Sequence, residues 1–382
     1  MRIVDVEAVV LRQPDVDSQI ADGSQDDLIV LVQTDDGTVG IGEVDSSPEV
    51  VKAAIEAPAS HANATGLRRV ILGQDASDIE GLWDQMYRAS IYYGRRGVAL
   101  HAMSGIEMAL WDIAGKRAGV SVSTLLGKVI QTKLRAYASL LMPETEAEVQ
   151  AAVAGLAAEG FSAVKLGWGP LGQDVDNDVR LARAAVEGGA GRLEVMIDAG
   201  LGYRADVARA TRAARAFEEL GVKWLEEPFE PDAIHEYAAL ADGVSIPIAA
   251  GEHETTRWGF RELIESAHLD IVQPDVTRCG GLRETVRIAE AAAAAGRRCV
   301  THGWKTGIVK AASLNVNAVI PGSEYLEYCV ASTPLNETLT VESFPLEDGF
   351  VSVPTAPGLG VTLDVEVLRR YAVGEIRMSE LL

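Results

Sequence analysis

The sequence predicts an α/β chain in which a TIM-type (β/α)8 barrel follows an N-terminal α+β domain. Three observations predict it. From about Leu134 onward, eight short apolar strands alternate with Ala/Arg/Glu-rich helical stretches, the pattern of parallel strands joined by crossover helices. Six consecutive strands end in or carry a charged residue, as the mouth of a barrel requires. The residues before them read instead as a hairpin followed by helices.

The chain opens on an alternating strand carrying Val4, Val6, Ala8 and Val10. A second strand over 28–32 runs through the hairpin signal Asp35-Asp36-Gly37 into a third over 39–43. Residues 14–27, between the first two strands, form a polar, acidic loop too long for a turn. Helical periodicity follows over about 79–118, interrupted at Gly94 and Gly97. The later strands are read at 134–139, 163–167, 193–198, 223–227, 246–252, 271–275, 298–302 and 324–328. Helices between them include 146–159, 178–187, 206–220, 258–266 and 282–295. An open doubly wound sheet fits the same alternation, but its nucleotide-binding form needs G-x-G-x-x-G after the first strand, and none occurs.

At 382 residues the chain is long for one core, so two domains or a barrel with a cap are expected. With 48% hydrophobic and 24% charged residues it is globular rather than disordered. A net charge of −22 repels phosphate backbones and anionic membranes, which argues against nucleic acid or membrane as partner. A small anionic substrate then needs local positive charge, most simply a metal plus lysines. Cys279, Cys299 and Cys329 lack CxxC spacing and read as buried, reduced thiols of a cytoplasmic protein, without a function. No signal-peptide core or membrane-length apolar run is present.

The chemistry gathers at the strand ends. Asp198, Glu226-Glu227, Glu252, Asp275 and His302 end the third to seventh strands, and Glu327 lies on the eighth. Buried unpaired charge is costly, so such a series needs a functional reason. Asp198, Glu226 and Glu252 come from neighbouring strands, and three converging anions need a cation. All-oxygen ligation points to Mg2+, with Mn2+ as its substitute. The competing reading pairs each acid with an arginine on the following helix. Glu226 is favoured over Glu227 because side chains alternate in direction along a strand. Asp275 beside His302 fixes the imidazole tautomer and favours its protonated form, as an acid/base catalyst requires. Lys165 faces inward on the second strand as a catalytic or charge-balancing group. Lys305 reads as a solvated loop charge.

These motifs resemble the enolase superfamily, in its mandelate racemase and acid-sugar dehydratase branch. The resemblance spans essentially the whole chain through Gly40-Ile41-Gly42-Glu43, Ala109-Leu110-Trp111-Asp112-Ile113-Ala114-Gly115-Lys116 and Ile197-Asp198-Ala199-Gly200. Trp224-Leu225-Glu226-Glu227-Pro228 and Val272-Gln273-Pro274-Asp275 with Gly280-Gly281 extend it. Residues 250–260 are similar to rhamnonate-type dehydratases. The resemblance implies a capping domain over 1–125, a barrel over 126–330 and a segment 331–382 that returns to complete the cap. It also implies specificity loops at 14–27 and 44–50, and a homo-oligomer.

The reaction then expected is dehydration of a sugar-derived 2-hydroxy acid, an aldonate or aldarate. Its carboxylate and 2-hydroxyl would chelate the metal, and Lys165 would help stabilise the enediolate formed as His302 takes the α-proton. Loss of the 3-hydroxyl, assisted by His302, would give a 2-keto-3-deoxy acid. Glu327 holds the far carboxylate oxygen by resemblance, and Tyr137 and Asp17 join Lys165 and Glu327 as expected substrate contacts. Two departures stand out. The second lysine of the family's Lys-x-Lys is absent in Lys165-Leu166-Gly167, and Asp-x-Asn is Asp198-Ala199-Gly200. Lys165 lies one inward layer deeper than the missing base, about 6.6–6.8 Å along the strand, which disfavours two-base racemisation. The alternatives are a racemase, epimerase or cycloisomerase, and a non-catalytic metal-binding barrel.

Overall fold

The computed structural model describes residues 1–378 and 380. The cap begins with an antiparallel sheet of β1 (Ile3–Arg12), β2 (Asp26–Thr34) and β3 (Val39–Val44), in that order. Its helices are α1 (Pro48–Glu56), α2 (Leu67–Ile71), α3 (Ile79–Ala89), α4 (Val98–Ala118) and α5 (Val122–Leu126). α4 and α1 pack on this sheet around a core that includes Val30, Val44, Met103 and Ile106.

Eight parallel strands follow. They are β4 (Lys133–Leu141), β5 (Ala163–Gly167), β6 (Glu194–Asp198) and β7 (Leu225–Glu226), then β8 (Ile248–Ala250), β9 (Ile271–Val272), β10 (Arg298–Cys299) and β11 (Tyr325–Cys329). The ladder runs β10-β9-β8-β7-β6-β5-β4-β11, so the eighth strand pairs with the first and brings the sheet round. The first four crossovers are α6 (Glu146–Glu159), α7 (Val175–Gly189), α8 (Val207–Leu220) and α9 (Ile234–Ala241). The next three are α10 (Thr256–Glu265), α11 (Leu282–Ala294) and α12 (Gly307–Asn317). The short α13 (Pro334–Thr338) follows the eighth strand, β12 (Phe350–Ser352) runs antiparallel to β4, and α14 (Val365–Tyr371) lies near the end.

The return of the chain to the cap is held by side chains. Asp112 on α4 accepts from the amides of Ile41 (3.0 Å) and Leu359 (2.9 Å), joining α4 to β3 and to the C-terminal segment. Glu7 on β1 accepts from the amides of Arg377 and Met378. Glu43 reaches across to the start of α12, accepting from Thr306 and Val309.

Several elements differ from the sequence reading. β7, β9 and β10 span only two residues, because the chain leaves the ladder where it carries its site residues. Asp275 and His302 still meet in an isolated parallel bridge beyond their strands. α1 begins at Pro48, inside the segment read as a loop over 44–50. Every residue of α12 is buried, which erases the amphipathic period that marks a surface helix. All three cysteines are free and buried, and burial pushes the Cys299 and Cys329 thiols up to about 12. No helix among the described residues is long and apolar enough to cross a membrane.

Candidate active site

The barrel interior is layered by the period of two. An apolar layer of Tyr137, Ala163, Met196, Trp224, Ala249, Ile271, Val300 and Tyr325 fills the centre. Two positions further along the respective strands come Ser139, Lys165, Asp198, Glu226, Gln273, His302 and Glu327, one layer nearer the mouth. Each is buried. This polar layer carries the site.

Carboxylate oxygens of Asp198, Glu226 and Glu252 lie within 4.8 Å of one another. Burial and the Glu226 and Glu252 charges hold the Asp198 carboxyl well above the usual range. Burial also raises Glu226, against the pull of Lys165. Glu252 behaves oppositely. Its burial is outweighed by His302, Arg278 and His253, which bring it down to about 2. Crowded oxygen donors held together at such cost fit a divalent cation, which would remove the repulsion. Glu227, one residue on from Glu226, turns away at φ 38° and binds His253 Nδ1 at 2.6 Å. It forms a second cluster with Glu252 and His253.

His302 borders the carboxylate cluster. Its Nδ1 is 2.6 Å from Asp275 Oδ2, and its Nε2 is 3.2 Å from Glu252 Oε2. Asp275 is itself held by the Thr277 amide and hydroxyl, both at 2.6 Å. Burial would lower the imidazole, but Glu252, Glu327 and Asp275 hold it up at about 10. Lys165 pairs with Glu226 and with Glu327 Oε1 at 2.8 Å. Burial opposes its charge, yet Glu226 and Glu327 raise it well above the ordinary lysine value. Glu327 also accepts from Ser139 Oγ (2.7 Å) and, across to the seventh strand's end, from the Gly303 amide (2.9 Å).

These groups open onto a cavity of 170 Å3 lined on the cap side by Ala21, Gly23 and Asp45. Two expected substrate contacts do not line it. Tyr137 is fully buried one layer below, edge-on to Trp224 and Tyr325, because it lies two residues short of the mouth. Ser139 takes that place. Asp17 is exposed and turned back into its own loop, where it accepts from the Gln19 amide, while Gln25 binds its backbone.

Other site residues escaped the sequence reading. Arg278 is 2.5 Å from Asp45 Oδ2 and 3.4 Å from Glu252 Oε1, so an arginine does pair with one acid of the cluster, but from a loop rather than a helix. Its place three residues after Asp275 was the available signal. Lys305 is 2% exposed and not solvated, correcting the loop-charge reading. Its ammonium donates to the carbonyls of Gly23 and Asp26 and lies 3.6 Å from Asp45 Oδ1, tying the cap loop to the barrel. Lys305→Met should therefore cost about 3 kcal/mol, as for a broken buried pair. Denaturant unfolding checks this, and wild-type stability would refute the tie.

Each departure at the second and third strands has a steric counterpart in the structure. A Cβ on Gly167 would lie 2.6 Å from Asp198 Cβ, so a side chain there is excluded unless Asp198 moves. The next residue, Trp168, takes φ 59° and lines the cavity. Gly200, at φ 53°, makes room for it, since a Cβ there would lie 2.7 Å from the indole.

The fold and this site define a capped-barrel enzyme with a carboxylate-rich centre facing an Asp–His pair. The chain belongs to the mandelate racemase / muconate lactonizing enzyme family of the enolase superfamily. Residues 2–127 match the N-terminal domain of that family, and 147–367 match the enolase C-terminal domain-like family. It is 33% identical to D-galactarolactone cycloisomerase of Agrobacterium fabrum, over 92% of each chain. It is 34% identical to L-rhamnonate dehydratase of Saccharopolyspora erythraea, over 90% of this chain and 85% of that one. The crystal structure of the 3,6-anhydro-D-galactonate cycloisomerase from Zobellia galactanivorans superposes with TM-score 0.88 at 31% identity, covering 98% of this chain and 100% of that one. Members of the superfamily bind a divalent metal.

Proposed function

We propose that the chain is a Mg2+-dependent dehydratase of a sugar-derived 2-hydroxy acid. The observation that carries this reading is the His302 imidazole, paired with Asp275 and facing the Asp198/Glu226/Glu252 cluster, while Asp198 crowds the place of a strand-two base at Gly167. Asp198, Glu226 and Glu252 would hold the ion. When bound, it supplies Lewis-acid neutralisation of the charge that builds on the substrate carboxylate.

The chain's own residues do the rest. Asp275 orients His302 through Nδ1. With Glu252 holding a cation, the charge that otherwise keeps the imidazole protonated would weaken, and Nε2 would then be free to take the α-proton. Lys165, held between Glu226 and Glu327, stays charged and serves as a fixed positive group rather than a base. Glu327 positions that ammonium. The proton on His302 then goes to the departing 3-hydroxyl, so water is lost and a 2-keto-3-deoxy acid forms.

A second reading, cycloisomerisation, is favoured by the names of two relatives, D-galactarolactone cycloisomerase and 3,6-anhydro-D-galactonate cycloisomerase. Product mass separates the two. Aldonic and aldaric acids, with lactone and anhydro forms beside them, are incubated with the protein and Mg2+; in H2O the open-chain acids should give a product lighter by one water. A product isomeric with its substrate would replace dehydration by cycloisomerisation. In D2O, solvent deuterium incorporated with inversion at the α-carbon would establish a two-base epimerase instead.

A further inference from the structure

We propose that this site selects monocarboxylic sugar acids (aldonates) over the dicarboxylic aldarates of the same configuration, with Trp168 and Trp304 holding the uncharged part of the chain. The inference deepens the dehydratase reading and rests on it for the identity of the first carboxylate's place. It comes from which charges the cavity has left to offer.

Among the described residues, the cationic side chains lining the cavity are Lys165, His253, Arg278 and His302. Each already faces a carboxylate at 2.5–2.8 Å: Glu327, Glu227, Asp45 and Asp275 respectively. Arg278 has Glu252 as a further partner, and His302 has the same residue at 3.2 Å. Lys305, the remaining buried cation near the cap loop, is consumed by Gly23, Asp26 and Asp45. The proposed centre accounts for one substrate carboxylate. A second would enter without a cation of its own, and burying an unpaired carboxylate is strongly unfavourable.

The rest of the lining suits the opposite chemistry. Leu140 and Leu141 at the end of β4, Trp168 after β5, Trp304 after β10, and Ala21 with Gly23 in the cap loop carry no charge. Trp304 is fixed by its Nε1, which donates to Asp22 Oδ1 at 3.1 Å. Trp168 is fixed by the fit of its indole against Gly200. Two held indoles offer broad apolar faces to the C–H side of a polyol chain, and pockets of this kind take orientation from a few polar groups. The cap loop over 14–27 is acidic, carrying Asp15, Asp17, Asp22, Asp26 and Asp27 and no lysine or arginine. Its field opposes a second anion.

The test pairs each C5 and C6 aldonate with its aldarate and reads both calorimetric binding, with Mg2+ present, and kcat/KM. The aldonate should win each pair by roughly tenfold or more. Trp168→Ala should raise the aldonate KM with a smaller effect on kcat. Leu141→Arg should move the preference toward the aldarate by adding the missing cation. Aldarates that bind or turn over better in the native protein would overturn the inference, as would a panel in which no aldonate binds. Trp168→Ala with unchanged KM would also overturn the assigned role of the indole. Aldonates that bind selectively but never exchange their α-proton would remove the dehydratase reading and leave this inference standing.

Discussion

His302→Asn is expected to abolish both turnover and exchange of the substrate α-proton into D2O. The loss should reach roughly 10⁴-fold, the upper end of what a general base contributes, because one imidazole is assigned both proton transfers. The other titratable nitrogen bases lining the cavity are already paired with acids, Lys165 with Glu226 and Glu327 and His253 with Glu227. The substitution also removes a cation from among Glu252, Asp275 and Glu327, so some loss of thermal stability should accompany it. Circular dichroism of the variant must stay native for the kinetic result to count. Exchange that survives while turnover dies would reassign the first proton transfer to another residue.

Glu252→Gln should weaken Mg2+ binding by roughly 100-fold or more, exceeding the 10–100-fold typical of losses outside the ligand set. Calorimetry of the resting protein reads this directly, without substrate. The carboxyl is held down at about 2, against its own burial, by His302, Arg278 and His253. A carboxylate whose folded value is depressed stabilises the fold above its unfolded value of about 4.3 and loses that contribution as pH falls through about 2. The Gln variant should therefore be less stable than the native protein at neutral pH when metal-free, and the difference should shrink in acid. Full activity of the native protein in excess chelator would overturn the metal assignment.

The barrel and its charged mouth were legible in the chain because both follow from local rules. Alternation along 163–167 and the helix over 146–159 match the structure residue for residue. The same period of two brings Lys165, Asp198, Glu226, His302 and Glu327 into one layer. It also explains the misplacement of Tyr137, which shares their inward direction but lies one layer too deep. Direction is a property of the strand, whereas depth depends on where the neighbouring strands begin and how the cap closes over them.

Long-range partners decided what the sequence left open. Nothing local distinguishes Lys305, buried beneath the cap loop, from a lysine in water; its partners at Gly23 and Asp26 are brought to it only by docking of the cap on the barrel. Arg278 likewise gains its meaning from Asp45, 233 residues away in the chain. Asp17 was misjudged for the converse reason. An acidic loop names its residues but not which of them faces inward, and the Gln25 side chain settles that by drawing Asp17 back toward solvent. The glycines at 167 and 200 read as two unrelated departures in one dimension. In three each has its own neighbour, since Asp198 fills the space beside the first and the Trp168 indole the space beside the second. Periodicity and strand-end chemistry act within a few residues and so survive in sequence. Steric exclusion and charge pairing act between elements, and exist only once the chain has folded.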